Sequence, residues 1–162
     1  MSRLSKGSIL EAAVKLAEES GPQKVSLRGV AAKAGCAPPS IYHYFENKAE
    51  LMQGIFDTAI CALEELTINC DSHTDVMKKI SQFWLERRTE FVLSFMNPFH
   101  PFKFTDCDLY DEILKRAAKT KCEAEIRLAS IYGVLAVSIN QSYSVDETNE
   151  LLGALIRELD HD

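Results

Sequence analysis

The chain lacks the usual marks of several functional classes, and each absence narrows the reading. No apolar run is long enough for a transmembrane helix, and the start, MSRLSKGSILEAA, has neither the block of a signal peptide nor a lipidation motif. A cytoplasmic location without membrane contact is therefore expected. Five cysteines (Cys36, Cys61, Cys70, Cys107, Cys122) lie far apart, odd in number and without CxxC spacing. They read as reduced thiols rather than a disulfide framework. Four scattered histidines form no HExxH, no GxSxG elbow occurs, and no paired carboxylates mark a cleft. No glycine-rich loop is present to cradle a phosphate. The expectation is a protein that is not an enzyme and carries no cofactor or metal.

What is present is helical periodicity. No Val/Thr-rich alternating run argues for a strand, and the fold class read from the pattern is all-α. Ile9, Ala12, Ala13, Leu16 and Ala17 share one helical face, with Ser8 and Glu11 as a candidate capping box. Gly21-Pro22 ends that helix. Ser26 is a good cap for a second, whose inner face is Leu27, Val30, Ala31 and Ala34. Gly35 suits a left-handed turn. Pro38 and Pro39 fit only the first turn of a third helix, roughly Pro38 to Phe45, with Ile41 and Phe45 inward. Asn47 with Glu50 caps a fourth carrying Leu51, Ile55, Ala59 and Ala62.

Beyond Cys70, Val76, Ile80, Phe83, Trp84 and Phe91 mark an amphipathic helix whose apolar face is interrupted at Arg87-Arg88. The stretch 97–107 breaks the period, and helix resumes near Leu109. Leu128, Ile131, Tyr132, Leu135 and Ile139 define a strong helix with Ala129, Gly133 and Ala136 as a small-residue stripe. Ser144 and Glu147 form a second capping box, ahead of Leu151, Leu152, Leu155, Ile156 and Leu159.

Charge is divided unevenly. The net charge is -6, yet residues 1–48 hold seven Lys/Arg against four Glu. A basic head on an acidic body suits a protein that presents one end to phosphates. Two short helices separated by Ala34-Gly35-Cys36 form a helix-turn-helix, whose second helix can enter a major groove.

The residues ILEAAVKLAEESG, SLRGVAAKAG and SIYHYFENKAEL, at this spacing, resemble the TetR family of bacterial transcriptional regulators. The resemblance covers roughly residues 3–60. One departure is Ala37-Pro38-Pro39 at the start of the recognition helix, where the family usually has polar and small residues. A helix-turn-helix domain over 1–48 is thus expected, with the resemblance running to about 60 through a connecting helix. An effector-binding and dimerisation domain over 49–162 is implied to follow.

Site residues divide into three groups. For DNA, Ser26 at a helix start and Arg28 just inside it are candidates. The family pattern assigns Tyr42 and Lys48 to phosphate. Ala37, Pro38, Pro39, Ser40, His43 and Tyr44 stand where bases are read, proline offering an apolar surface to a thymine methyl. For a small-molecule effector, the aromatic-rich body suggests Phe83, Trp84, Arg87, Phe91, Phe95, His100 and Phe102. For a homodimer, Ala129, Gly133, Ala136, Leu152, Leu155, Ile156 and Leu159 are implied, as a four-helix bundle across a twofold axis.

The implied function is a dimeric regulator, a repressor released from a palindromic double-stranded DNA operator by its effector. The alternatives are a nucleoid-associated protein without effector, or an all-α ligand-binding module that no longer reads DNA.

Overall fold

The structure, a computed structural model, describes residues 4–96 and 108–160, with the side chains of 108–110 excepted. Every regular element among them is helical. In chain order these are α1 (Lys6–Ser20), α2 (Leu27–Lys33), α3 (Pro38–Tyr42), α4 (Lys48–Thr67), α5 (His73–Glu86), α6 (Arg88–Phe95), α7 (Asp108–Ala117), α8 (Lys121–Asn140) and α9 (Val145–Leu159). The chain forms two compact units, Met1–Thr58 with Thr89–Phe102, and Ala59–Arg88 with Lys103–Asp162.

In the first unit, α1 begins a turn earlier than the Ser8–Glu11 box predicts. Its cap is Ser5, whose hydroxyl accepts from the Ser8 N–H at 3.2 Å while the Ser8 hydroxyl accepts from the Ser5 N–H at 2.9 Å. Two serines thus satisfy both exposed amides, and Glu11 is left on an outer face. The helix stops at Gly21, whose φ of 91° suits a residue without Cβ. A short 3-10 turn, Pro22–Lys24, leads to Ser26, which caps α2 through the Gly29 amide at 3.1 Å. Gly29 sets the close approach of α1: a Cβ there would lie 3.0 Å from Leu16 Cδ2. Gly35 turns the chain at φ 68°, as the pattern predicts.

The third helix is shorter than the Pro38–Phe45 span read from sequence. It ends at Tyr42, and the amides of Tyr44 and Phe45 both donate back to the Ile41 carbonyl, at 2.9 and 3.0 Å. That tight turn still delivers Ile41 and Phe45 to the interior, each fully buried. They join Ile9, Ala13, Val30, Leu51 and Leu93 in one apolar cluster. Asn47 caps α4 through the Glu50 amide at 2.9 Å, and the Glu50 carboxylate accepts from the Glu46 N–H at 2.6 Å.

The second unit is built on α5, α7, α8 and α9 with the end of α4. Val76, Ile80, Trp84, Ile113, Leu128, Ile131, Leu135 and Leu152 are buried there. The apolar pattern through Phe91 is not one helix: Arg87, at φ -114° and ψ 45°, ends α5, and α6 starts at once. Arginine side chains tie the periphery. The Arg127 guanidinium, only 8% exposed, donates to the carbonyls of Ala117 and Leu159 at 3.2 Å and pairs with Glu123 at 2.7 Å. Arg88 donates to the Tyr143 carbonyl and to the Thr148 hydroxyl, all at 3.2 Å. Arg116 pairs with Glu64 at 2.9 Å, and His73 Nδ1–H donates to the Arg116 carbonyl at 2.8 Å. The expected Ser144–Glu147 capping box starts α9.

Candidate nucleic-acid interface

A five-residue helix has little stability of its own, so α3 depends on its anchors. Ile41 and Phe45 supply them, and every other residue from Ala37 to Tyr44 is exposed or half-buried. Pro38 and Pro39 stand one turn before Tyr42, so the three share the outer face. Tyr42 is 49% exposed, and its hydroxyl has no hydrogen-bond partner among the described residues. His43 is exposed beside it; Ala37 is exposed at the start of the helix and Ser40 half-buried within it.

The flanking cations and hydroxyls have distinct surroundings. Ser26 is exposed, and its cap uses the hydroxyl oxygen as acceptor, which leaves the O–H to donate outward. Arg28 is exposed and makes no ion pair among the described residues. Lys48 is half-buried at the first position of α4. Lys33 is held by Glu19 at 2.5 Å.

Tyr44 differs from its neighbours. Its ring is 37% exposed, yet its hydroxyl donates to the Leu4 carbonyl at 3.1 Å, forty residues away in sequence. Next to it the Lys6 ammonium lies 5.4 Å from the centre of the buried Phe45 ring. Neither contact has a signature in local periodicity, and the sequence reading missed both.

Of the aromatic residues expected to meet an effector, Phe83, Trp84 and Phe91 are buried and Phe95 is half-buried. Phe83 and Trp84 are buried in the second unit, edge to face at 5.0 Å. Arg87 is exposed, with its guanidinium 4.9 Å from the Phe83 ring centre. Phe91 and Phe95 belong to the first unit, their rings 5.0 Å apart. His100 and Phe102 lie outside the described residues. A cleft of about 690 Å³ opens elsewhere in the second unit, lined by residues that include His73, Lys119, Thr120, Ile126 and Arg127.

Of the residues named for pairing, Ala129 and Gly133 are exposed, and Ala136, Leu155 and Leu159 are half-buried. A Cβ on Gly133 would meet nothing within 4 Å. Leu152 and Ile156 sit in the core of their own unit, 2% and 5% exposed, so they are not part of an outer face. Leu152, Leu155, Ile156 and Leu159 share one face of α9, and the chain itself covers Leu152 and Ile156 while Leu155 and Leu159 stay half-buried at its edge. Ile126 and Val137, 57% and 53% exposed, lengthen the Ala129/Gly133 stripe on α8, and Leu151 is exposed on α9.

These features define a helix-turn-helix protein. Residues 9–55 match the model of bacterial regulatory proteins of the tetR family. The HTH-type transcriptional regulator TtgR of Pseudomonas putida is 27% identical over 137 residues, which cover 77% of this chain and 63% of that protein. The chain thus spans less than two thirds of that relative's length. Two solved structures share the fold. TetR from Acinetobacter baumannii has a TM-score of 0.67 at 14% identity, with 98% of each chain covered. FadR from Bacillus subtilis, in complex with stearoyl-CoA, has a TM-score of 0.65 at 16% identity, covering 96% of this chain and 97% of that one. Residues 9–55 are thus similar to the DNA-binding domain of tetR-family regulators, and over the whole length the likeness to the solved structures is one of fold.

Proposed function

We propose that the chain is a sequence-specific transcriptional regulator, a homodimeric repressor that a small-molecule effector releases from a palindromic operator. The observation that carries this is the surface of α3: Pro38, Pro39, Tyr42 and His43 are displayed outward from a helix that two buried side chains hold in place. Displayed polar and aromatic groups with unused hydrogen-bonding capacity suit base edges and phosphates. In this reading His43 and the two prolines read bases, while Ser26, Arg28, Tyr42 and Lys48 position the head on phosphates. The domain that reads DNA ends near residue 48, and the remainder binds effector and pairs.

Dimerisation is supported by the exposed apolar stripe on α8. A twofold axis there gives two heads, and two heads match a palindrome. Release is mechanical: an effector that favours one arrangement of α4 changes the spacing of the two recognition helices. Coupling of about 1–3 kcal/mol is typical of such switches. Stearoyl-CoA, bound by the Bacillus subtilis neighbour, joins a metabolite panel scored by operator affinity.

The test is selection of bound duplexes from a random DNA pool, with wild type and Lys48→Ala in parallel. Enrichment of a two-half-site palindrome, lost in the variant, is expected. A folded protein that enriches nothing would mean that the helix-turn-helix no longer reads DNA.

A further inference from the structure

The hydrogen bond from Tyr44 to Leu4 assigns Tyr44 a role that its exposure does not suggest. A phenol has one proton to donate. Here it goes to the Leu4 carbonyl at 3.1 Å. Phosphate oxygens, guanine O6 and purine N7 only accept, so in this arrangement Tyr44 has no proton to offer them. Tyr42, two residues earlier, keeps its hydroxyl without a partner among the described residues. The two tyrosines of one motif therefore do different work.

The Leu4 bond ties the start of α1 to the turn leaving α3, and a second polar contact lies beside it. The second is the Lys6 ammonium over the Phe45 ring at 5.4 Å. Phe45 is fully buried and closely packed: a Cβ on Gly54 would lie 3.0 Å from its ring. A ring held this firmly gives the Lys6 ammonium a fixed place. Lys6 itself is exposed and has no carboxylate partner among the described residues. Its charge is thereby carried next to Phe45, the residue that joins the α3 turn to the segment leading into Lys48.

We propose that Tyr44 is a positioning residue, which latches the start of α1 to the end of the recognition helix so that Lys6 makes a phosphate contact beside it. The proposal rests on the DNA-binding reading above. In it the reading head is α3 together with residues 4–6, moving as one piece. A base-reading role would instead make Tyr44 a determinant of sequence preference, and the two roles separate experimentally.

The experiment measures affinity for a selected operator, and for single-base variants of it, across a salt series. The proteins are wild type, Tyr44→Phe, Lys6→Gln and the double variant, each checked for an unchanged melting temperature. Lys6→Gln is expected to bind all duplexes about tenfold more weakly and to lower the salt slope by about one unit, the signature of one lost phosphate contact. Tyr44→Phe, which keeps the ring and removes only the hydroxyl, should lower affinity and slope in the same direction with base preference unchanged. The double variant should be no weaker than Lys6→Gln, because both changes remove one contact.

Three outcomes overturn the proposal while leaving the DNA-binding reading intact: Tyr44→Phe within twofold of wild type, a changed base preference in Tyr44→Phe, or additive losses in the double variant. Wild-type protein that shows no salt-dependent duplex binding overturns the reading itself, and the proposal with it.

Discussion

Two exposed surfaces of this molecule, on α3 and on α8, differ in what they leave unsatisfied. On α3 the displayed side chains are ring-bearing or polar, and the Tyr42 hydroxyl is unspent among the described residues. On α8 one stripe of them is Ile126, Ala129, Gly133 and Val137, spaced three or four apart, side chains with no polar group to offer. Water solvates the first surface well and the second poorly. A charged, hydrogen-bonding partner suits α3, whereas an apolar helix suits α8. The presence of glycine sharpens this, because the open space above Gly133 lets a second backbone approach closely.

The largest disruption of the contrast is expected at Ile41, the buried anchor of α3. Ile41→Ala leaves a cavity under a helix too short to stand alone, and a loss of about 2–5 kcal/mol follows. Denaturant unfolding checks this, and duplex binding should vanish with the head. Unchanged stability would mean that α3 is held by something other than its core contact.

Next in size is the α8 surface. Val137→Glu places a charge on the exposed stripe, where the single chain tolerates it but an apolar interface does not. Sedimentation should show a shift from dimer to monomer, with helical content retained and operator affinity reduced at least a hundredfold. A dimer that survives the charge would place the pairing surface away from α8.

Smaller effects separate the residues around α3. His43→Ala should cost about 1–3 kcal/mol at one base position and flatten preference there. Lys48→Ala should instead weaken all duplexes alike and reduce the salt slope by about one unit. Binding profiles over single-base operator variants decide between them, and equal profiles would remove the division of labour.

The smallest expected effect lies at the start of α9. Ser144→Ala removes a cap and should destabilise by about 1 kcal/mol in thermal unfolding. The Glu147 carboxyl is held below its ordinary range by the Ser144 N–H, and further by the Ser144 hydroxyl. A carboxyl lowered on folding stabilises the native state fully above its unfolded value, and the contribution fades as pH falls through the lowered value. Wild type should therefore lose some of its margin over Ser144→Ala on acidification, and a pH-independent difference would exclude this coupling.

Local signals were the legible part of the chain. Ser26, Asn47 and Ser144 announce helix starts because a cap is a contact across three residues, and Gly35 announces a turn because its φ excludes most side chains. The first cap differs from the expectation because Ser5/Ser8 and Ser8/Glu11 satisfy the same spacing, and the fold uses Ser5 with Ser8. Leu152 and Ile156, expected at a pairing surface, lie in the core for a related reason. Periodicity reports that a residue is apolar on a given side of its helix, but not whether its own chain or a second one covers it.

The sequence by itself determined the all-helical class, the helix-turn-helix with its short proline-led third helix, and the concentration of positive charge at the N-terminal end. Each is written in neighbours within four residues or in a plain sum of charges. Only the tertiary structure decided which tyrosine keeps its hydroxyl for a partner, which apolar residues of α8 and α9 remain uncovered, and that the buried Arg127 closes the second unit through carbonyls of α7 and α9. Those outcomes depend on groups brought together from distant parts of the chain, where the folded geometry alone sets the partners.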